Sequence, residues 1–500
     1  MIIGRNFIGG EWTSSTDSKD FEDQSPSNLD ICLGHFPSST ERDVDIAVAS
    51  ARAAFPQWKA TSRIRRAEML DVVAQLIKRD LALLVGIIVL ESGKPINEAR
   101  ADVVEGLHMI QYLAGRARMP QGEVFASEVP GKEGYALRKP KGVVACITPW
   151  NFPFAIPIWL VASALAEGNT VVFKPSEETP ASGQFLVALF KEAGIPFGVL
   201  NLLHGYGEQV GWPLVLHPDV DVVLFTGSYE IGSRIKRVCA AYPHKLAVCE
   251  MGGKNAVIIM DDARMDLAVS ASVLSAFKTA GQRCVSASRI LVHEDVLDQF
   301  TDRFVDASKK LIVGDPADEW TFMGPMITLA ARTKVMNYNQ RARRDNATIL
   351  LEPAQCRALE PHTSRGNYIS PFIYQMASDN PSACLKDEVF GPHVAVIPIK
   401  DVDDAVCVYN ATDYGFALAV ITEDYRKARY VQEWCDHGVG YWNLPTIGAE
   451  VHLPFGGVKR SGSGMPSASL LIDAVTHRIS WTVNYNEEIQ LAQGLAAKVD

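Results

Sequence analysis

The chain has 500 residues, 47% hydrophobic and 21% charged, which is a globular composition with apolar material for a large core. Disorder, a collagen-like repeat and a disulfide scaffold are excluded, and at roughly 150 residues per domain the length predicts about three domains, or two large ones with an appendage. Forty-eight basic against 58 acidic residues leave a net charge of −10, so nucleic acid is not an expected partner, while a local pocket for a small anion stays open.

The N-terminal stretch Met1–Trp12 carries no apolar run of signal-peptide length. Apolar residues three and four apart through Ala47–Phe55, Ala67–Leu90 and Ala101–Leu113 predict helices over 44–118. The longest apolar run, Leu81 to Leu90, is too short to span a bilayer and predicts a buried helix, so no membrane is expected as a partner. Between Pro120 and Pro140 the pattern becomes short, mixed and glycine-containing, which predicts a hairpin. From 142 onward strands and helices alternate, beginning with a strand at Gly142–Ile147 and a helix at Phe154–Ala166. Strands follow at Thr170–Phe173, Val199–Leu203, Val220–Phe225 and Leu246–Glu250. A second alternating region runs from about 255 to 440, with strands such as Ala256–Met260, Arg289–Val292 and Val394–Pro398. Such alternation predicts an α/β protein of two doubly wound lobes with parallel sheets and an inserted hairpin.

The nine cysteines are odd in number and none pairs as CxxC, which suits free thiols in a reducing, cytoplasmic compartment and predicts no metal. Cys284 stands apart. It lies in a polar, glycine-containing turn beside Arg283, whose positive charge favours the nucleophilic thiolate. Glu250, which ends an apolar strand before Gly252 and Gly253, is a candidate base for it. Cys146, Cys239 and Cys407 sit in apolar runs and are expected to be packing residues. No GxGxxG fingerprint is present. Phe225-Thr226-Gly227-Ser228, with Gly232, is either a phosphate-binding strand–turn–helix or a plain turn. Lys174 and Glu177 hold a ribose or are merely solvated.

Together these segments resemble the NAD(P)-dependent aldehyde dehydrogenase superfamily over about residues 5 to 485. The matching motifs, in order, are Pro149-Trp150-Asn151-Phe152-Pro153, Lys174-Pro-Ser-Glu177, Phe225-Thr-Gly-Ser228 with Gly232, Glu250-Met-Gly-Gly-Lys-Asn255, Gly281-Gln-Arg-Cys284, Glu388-Val-Phe390-Gly-Pro392 and Pro454-Phe455 through Lys459 to Gly462. The resemblance implies an NAD-binding domain at 1–121 and 141–252, a catalytic domain at 253–460, and an oligomerisation element at 122–140 and 470–488 that builds a homodimer or homotetramer. It implies Cys284 as nucleophile, Asn151 as oxyanion donor and Glu250 as the base that releases a free acid. Trp150, Lys174, Glu177, Phe225, Gly227, Ser228, Glu388 and Phe390 would hold the cofactor, NAD, with NADP possible. After Gly464 the sequence departs from the family pattern at Met465-Pro466.

The region Asn443–Glu450 is similar to the anchor loop of α-aminoadipic semialdehyde dehydrogenases, and Phe152–Pro157 with Phe225–Glu230 to pyrroline-5-carboxylate dehydrogenases. That similarity implies an aldehyde substrate bearing a carboxylate, gripped by Arg283, Gly448 and Ala449 beside Phe455. The alternative is an apolar tunnel for an aliphatic or aromatic aldehyde, lined by Trp150, Phe154, Trp159, Tyr441, Trp442 and Phe455. A non-catalytic relative, or thioester hydrolysis without oxidation, is a further alternative.

Overall fold

The strand Val143–Ile147 buries all five of its apolar residues, as a strand covered on both faces must. In a computed structural model that describes residues 1–355, 361–464 and 467–492, it is an inner strand, third in order, of a seven-stranded sheet. The order is Leu246–Met251, Val222–Gly227, Val143–Ile147, Thr170–Lys174, Leu200–Leu202, Asn6–Ile8 and Glu11–Thr13. The first five strands are parallel, and the N-terminal pair extends the sheet antiparallel. Those last two strands have only three residues each, too few for a period-two pattern, and sequence reading did not isolate them.

A second seven-stranded sheet runs Thr348–Leu351, Phe372–Gln375, His393–Ile399, Ala287–His293, Asn255–Ile259, Ala417–Ile421 and Val439–Trp442. It is parallel except for its first pair. Residues 250–251 and 461–462, where the chain leaves the first lobe and returns to it, run side by side: Glu250 bridges Gly462, and the Met251 N–H donates to the Ser461 carbonyl at 2.8 Å. The predicted hairpin forms as Glu123–Ala126 and Lys132–Pro140, and Thr476–Asn484 pairs antiparallel along the whole second strand. This three-stranded sheet exposes Val124, Phe125 and Trp481.

Every described cysteine is a free thiol. Cys146 and Cys239 are buried as expected, but Cys407 is exposed. Helix Val402–Asn410 turns Ala405, Val408 and Tyr409 inward, and helical geometry leaves residue 407 off that face. Helix Leu81–Ser92 buries Leu84, Val85, Ile87, Ile88 and Val89. Among the described residues no helix is long and apolar enough to cross a membrane. Cys356, Met465 and Pro466 lie outside the described residues.

An ion pair fixes the helices behind the first sheet. Lys94 donates to Asp102 at 2.8 Å, both side chains being buried, and Asp102 also accepts the Ala155 N–H at 2.7 Å where helix Ala155–Ala166 begins. The Lys94 ammonium lies 3.8 Å from the centre of the Phe152 ring. Asp102→Ala strands a buried cation and an N–H at once, so it is expected to cost about 3–5 kcal/mol. Urea unfolding checks this; a wild-type midpoint would show the pair to be dispensable.

Candidate active site

Between helix Met265–Phe277 and strand Ala287–His293 the chain makes a tight turn before Cys284. Thr279, Ala280 and Gly281 all take left-handed backbone angles, with φ of 55°, 53° and 69°. For the two non-glycine residues this costs about 1–3 kcal/mol each. At Gly281 a Cβ would approach the Gly391 carbonyl oxygen to 2.5 Å, so no larger residue fits. The turn is held from both sides. The Thr279 N–H and hydroxyl donate to Glu98 at 3.2 and 2.5 Å, and the Gln282 amide donates to the Thr279 and Pro325 carbonyls. Asn255 Nδ2 donates to the Cys284 and Ser286 carbonyls at 2.7 and 3.0 Å, while its Oδ1 accepts the Ala417 N–H.

Cys284 faces a cavity of about 650 Å³ between the lobes, and Asn151 and Glu250 line it too. Asn151 stands in the turn between strand Val143–Ile147 and helix Ala155–Ala166; its Nδ2 donates to the Gln282 carbonyl at 2.9 Å, and the same amide has a second N–H. Glu250, only 5% exposed, accepts the Gly457 N–H at 3.2 Å, and burial pushes its carboxyl well above the ordinary range. Burial also pushes the Cys284 thiol up, with Glu388 and Glu250 adding to the rise and Arg283 opposing it. Burial therefore works against the expected thiolate. Arg283 pulls the other way but is outweighed; its Nη2 donates to Glu98 at 2.5 Å and its Nε to the Thr279 hydroxyl at 2.8 Å.

On one wall lie Trp150, Gly227, Ser228, Glu388 and Phe390. Ser228 caps helix Tyr229–Cys239, accepting the Ile231 N–H, so the free N–H groups of that helix open beside the cavity. Glu388 accepts the Gly253 N–H at 3.0 Å, and burial brings its pKa up to about 7. A Cβ at Gly252 would fall 1.9 Å from its carboxylate, so glycine is what lets Glu388 lie there. The Phe390 and Trp150 rings meet edge to face at 5.7 Å. Lys174, buried at its strand end, donates to Glu177 at 2.7 Å; this pair and Phe225 lie outside the lining of the cavity.

Arg283, Gly448, Ala449 and Phe455 also line the cavity, and Phe455 packs at 5.2 Å against both Trp159 and Phe416. Of the aromatic residues expected in a tunnel, Trp150, Trp159 and Phe455 line the cavity. Phe154 is buried in the core of the first lobe instead, Tyr441 is outside the lining, and Trp442 is half exposed with its indole N–H donating to the Thr422 carbonyl. Two carboxyl residues were missed. Glu98 and Glu105 lie seven apart on helix Ile96–Arg116, two turns on the same face, and both line the cavity. Burial and the nearby Asp102 raise Glu105 to about 8, against the pull of Arg283 and Lys94. No cluster suited to a metal ion occurs among the described residues.

Since burial keeps the thiol neutral, the rate of Cys284 alkylation by iodoacetamide is expected to climb through the alkaline range, with a midpoint above that of an exposed cysteine, roughly 8.5. Mass spectrometry with Cys284→Ser as control checks it; a plateau near neutral pH would contradict the burial argument.

The model of the aldehyde dehydrogenase family matches residues 12–479. The chain is 32% identical to the α-ketoglutaric semialdehyde dehydrogenase of Bacillus subtilis (strain 168), over 92% of this chain and 93% of that one. It is 33% identical to malonate-semialdehyde dehydrogenase 1 of Geobacillus thermodenitrificans (strain NG80-2), over 92% and 94%. Among solved structures, a betaine aldehyde dehydrogenase from Staphylococcus aureus in complex with NAD+ superposes with a TM-score of 0.92 at 31% identity, covering 99% of this chain and 97% of that one.

Proposed function

The chain belongs to the aldehyde dehydrogenase family, and from that premise we propose that it oxidises an aldehyde bearing a carboxylate to the corresponding acid through a thioester on Cys284. It is an NAD-dependent aldehyde dehydrogenase, related to enzymes crystallised with NAD+. The observation that carries the mechanism is that Cys284, Asn151 and Glu250 line one cavity whose neighbouring wall is suited to a dinucleotide.

The residues present fit that cofactor. Lys174 and Glu177 form a pair at a strand end that can take ribose hydroxyls, and the carboxylate of Glu177 disfavours a 2′-phosphate, so NAD is preferred to NADP. The N-terminus of helix Tyr229–Cys239, capped by Ser228, suits a pyrophosphate, and Glu388 and Phe390 suit the second ribose and the ring. Bound there, the nicotinamide supplies the hydride acceptor.

Cys284 Sγ adds to the aldehyde carbon, and its proton passes to solvent. The oxyanion so formed takes the free N–H of Asn151, a donor whose loss typically costs about 10²–10³ in rate. Departure of hydride leaves the thioester. Glu250 then removes a proton from water as the water attacks the acyl carbon, and the thiol is regenerated. A carboxyl held high by burial is a strong base once ionised, so deacylation should quicken as pH rises and Glu250 loses its proton. Glu250→Gln is expected to retain a stoichiometric burst of NADH while steady turnover falls about 10²–10⁴-fold. Loss of the burst together with turnover would place Glu250 in the first half-reaction.

Support for a carboxylate-bearing substrate comes from the semialdehyde dehydrogenases among the relatives and from Gly448, Ala449 and Arg283 lining one cavity. Arg283 spends Nε and Nη2 on Thr279 and Glu98, which leaves Nη1 for a substrate carboxylate. One observation favours a second reading, an apolar aldehyde: Glu98 already balances the charge of Arg283, and Trp159 and Phe455 make the wall apolar. Initial rates of NADH formation from succinic semialdehyde and butanal, which share a four-carbon chain, decide between them. A preference for the semialdehyde that Arg283→Ala removes is expected; equal rates, or faster butanal, would end the carboxylate reading. The three-stranded sheet with exposed Val124, Phe125 and Trp481 is the surface on which a homodimer or homotetramer would assemble.

A further inference from the structure

Glu98 contacts the nucleophile's turn more heavily than any residue of the family motifs does from the first lobe. It lies in the first turn of helix Ile96–Arg116 in that lobe, yet it is spent on the second. One carboxylate oxygen takes the Thr279 N–H and the other takes the Thr279 hydroxyl and Arg283 Nη2, while Lys278 lies 3.7 Å away. Burial opposes its charge, but Arg283, Lys278 and the Thr279 hydroxyl overcome burial and hold the carboxyl below its usual range.

We propose that Glu98 is a positioning residue for Cys284: it clamps the left-handed Thr279–Ala280–Gly281 turn to the first lobe, and so sets the nucleophile against Asn151. This rests on the reading of Cys284 as the nucleophile. Two non-glycine residues in left-handed conformation store strain that a free loop would release. What opposes release at residue 279 is Glu98, and at residue 282 the bond from Asn151 to the Gln282 carbonyl. Asn255 holds only the later half of the loop, at residues 284 and 286, and does so from the second lobe itself. Glu98 and Asn151 are thus the ties that register the sulfur against the first lobe. Arg283 is the counter-charge that lets a buried carboxylate do this.

Misplacing a reacting atom slows chemistry without removing the reactive group. Glu98→Ala is therefore expected to lower kcat at least about tenfold with KM for NAD unchanged. At the same time iodoacetamide should alkylate Cys284 faster at neutral pH, with a lower midpoint, because the released turn exposes the thiol. Unchanged alkylation of the buried Cys146 and Cys249 separates this from a merely destabilised protein, which would expose those thiols as well. Glu98→Gln keeps an acceptor for the Thr279 N–H and should stay within about threefold of wild type in kcat. Wild-type kcat and alkylation in Glu98→Ala would overturn the proposal. Equal losses in the two variants would also overturn it, since balancing Arg283 would then be the whole role. Should Glu98→Ala not fold, Thr279→Val deletes the hydroxyl shared by Glu98 and Arg283 and should lower kcat about threefold or more; wild-type kcat there would overturn it equally. Alkylation needs no aldehyde turnover, so an inert wild type would count against the oxidation reading, and an unchanged alkylation profile in Glu98→Ala against this one.

Discussion

The short path from Thr279 to Ser286 must keep a shape that the chain would not hold unaided, and much of the site is organised around keeping it. Backbone groups in such a turn cannot be satisfied by the regular ladders on either side, so side chains must do it. Asn255, Gln282 and Glu98 take that work, one from the adjoining strand, one from within the turn and one from the opposite lobe. Gly281 and Gly252 have a different part, leaving room where the Gly391 carbonyl and the Glu388 carboxylate come too close for any side chain. The two lobes therefore touch through the geometry of one loop as well as through apolar packing.

The cavity is weakly charged for a place with so many ionisable groups. Burial holds Cys284, Glu250, Glu388 and Glu105 towards their neutral forms, and the arginine present is already matched by a carboxylate. In a setting of low dielectric, charge that appears during a reaction is felt strongly by the few donors aimed at it. The second N–H of Asn151 is such a donor. Preorganisation of this kind depends on the turns that hold Asn151 and Cys284, and not on net charge.

The alternation of strand and helix from residue 142 onward was legible because each buried parallel strand is a compact apolar run, as at Val143–Ile147. The first forty residues were not, since strands as short as Asn6–Ile8 are made by the sheet they join and carry no period of their own. Cys284 and Glu250 stand apart in the sequence through a glycine-containing turn and a strand end, whereas Asn151 and Glu388 are singled out only by motifs that resemble the aldehyde dehydrogenase superfamily. Glu98 and Glu105 were invisible: an acidic residue on an amphipathic helix looks solvated until the helix is docked. The pull of Arg283 on Cys284 has the expected sign, but the burial that outweighs it, and the Glu98 partner of Arg283, lie far off in sequence.

The side-by-side passage of residues 250–251 and 461–462 has a consequence for folding order. The second lobe is inserted within the first, with its entrance and exit pinned together, so its ends need no further search once the neck is made. Its own parallel sheet can then form between fixed ends, as an inserted domain does. The final strand, Thr476–Asn484, can be laid against the hairpin only after the exit has returned to the first lobe. The three-stranded sheet thus joins two segments far apart in sequence, with the whole second lobe lying between them along the chain.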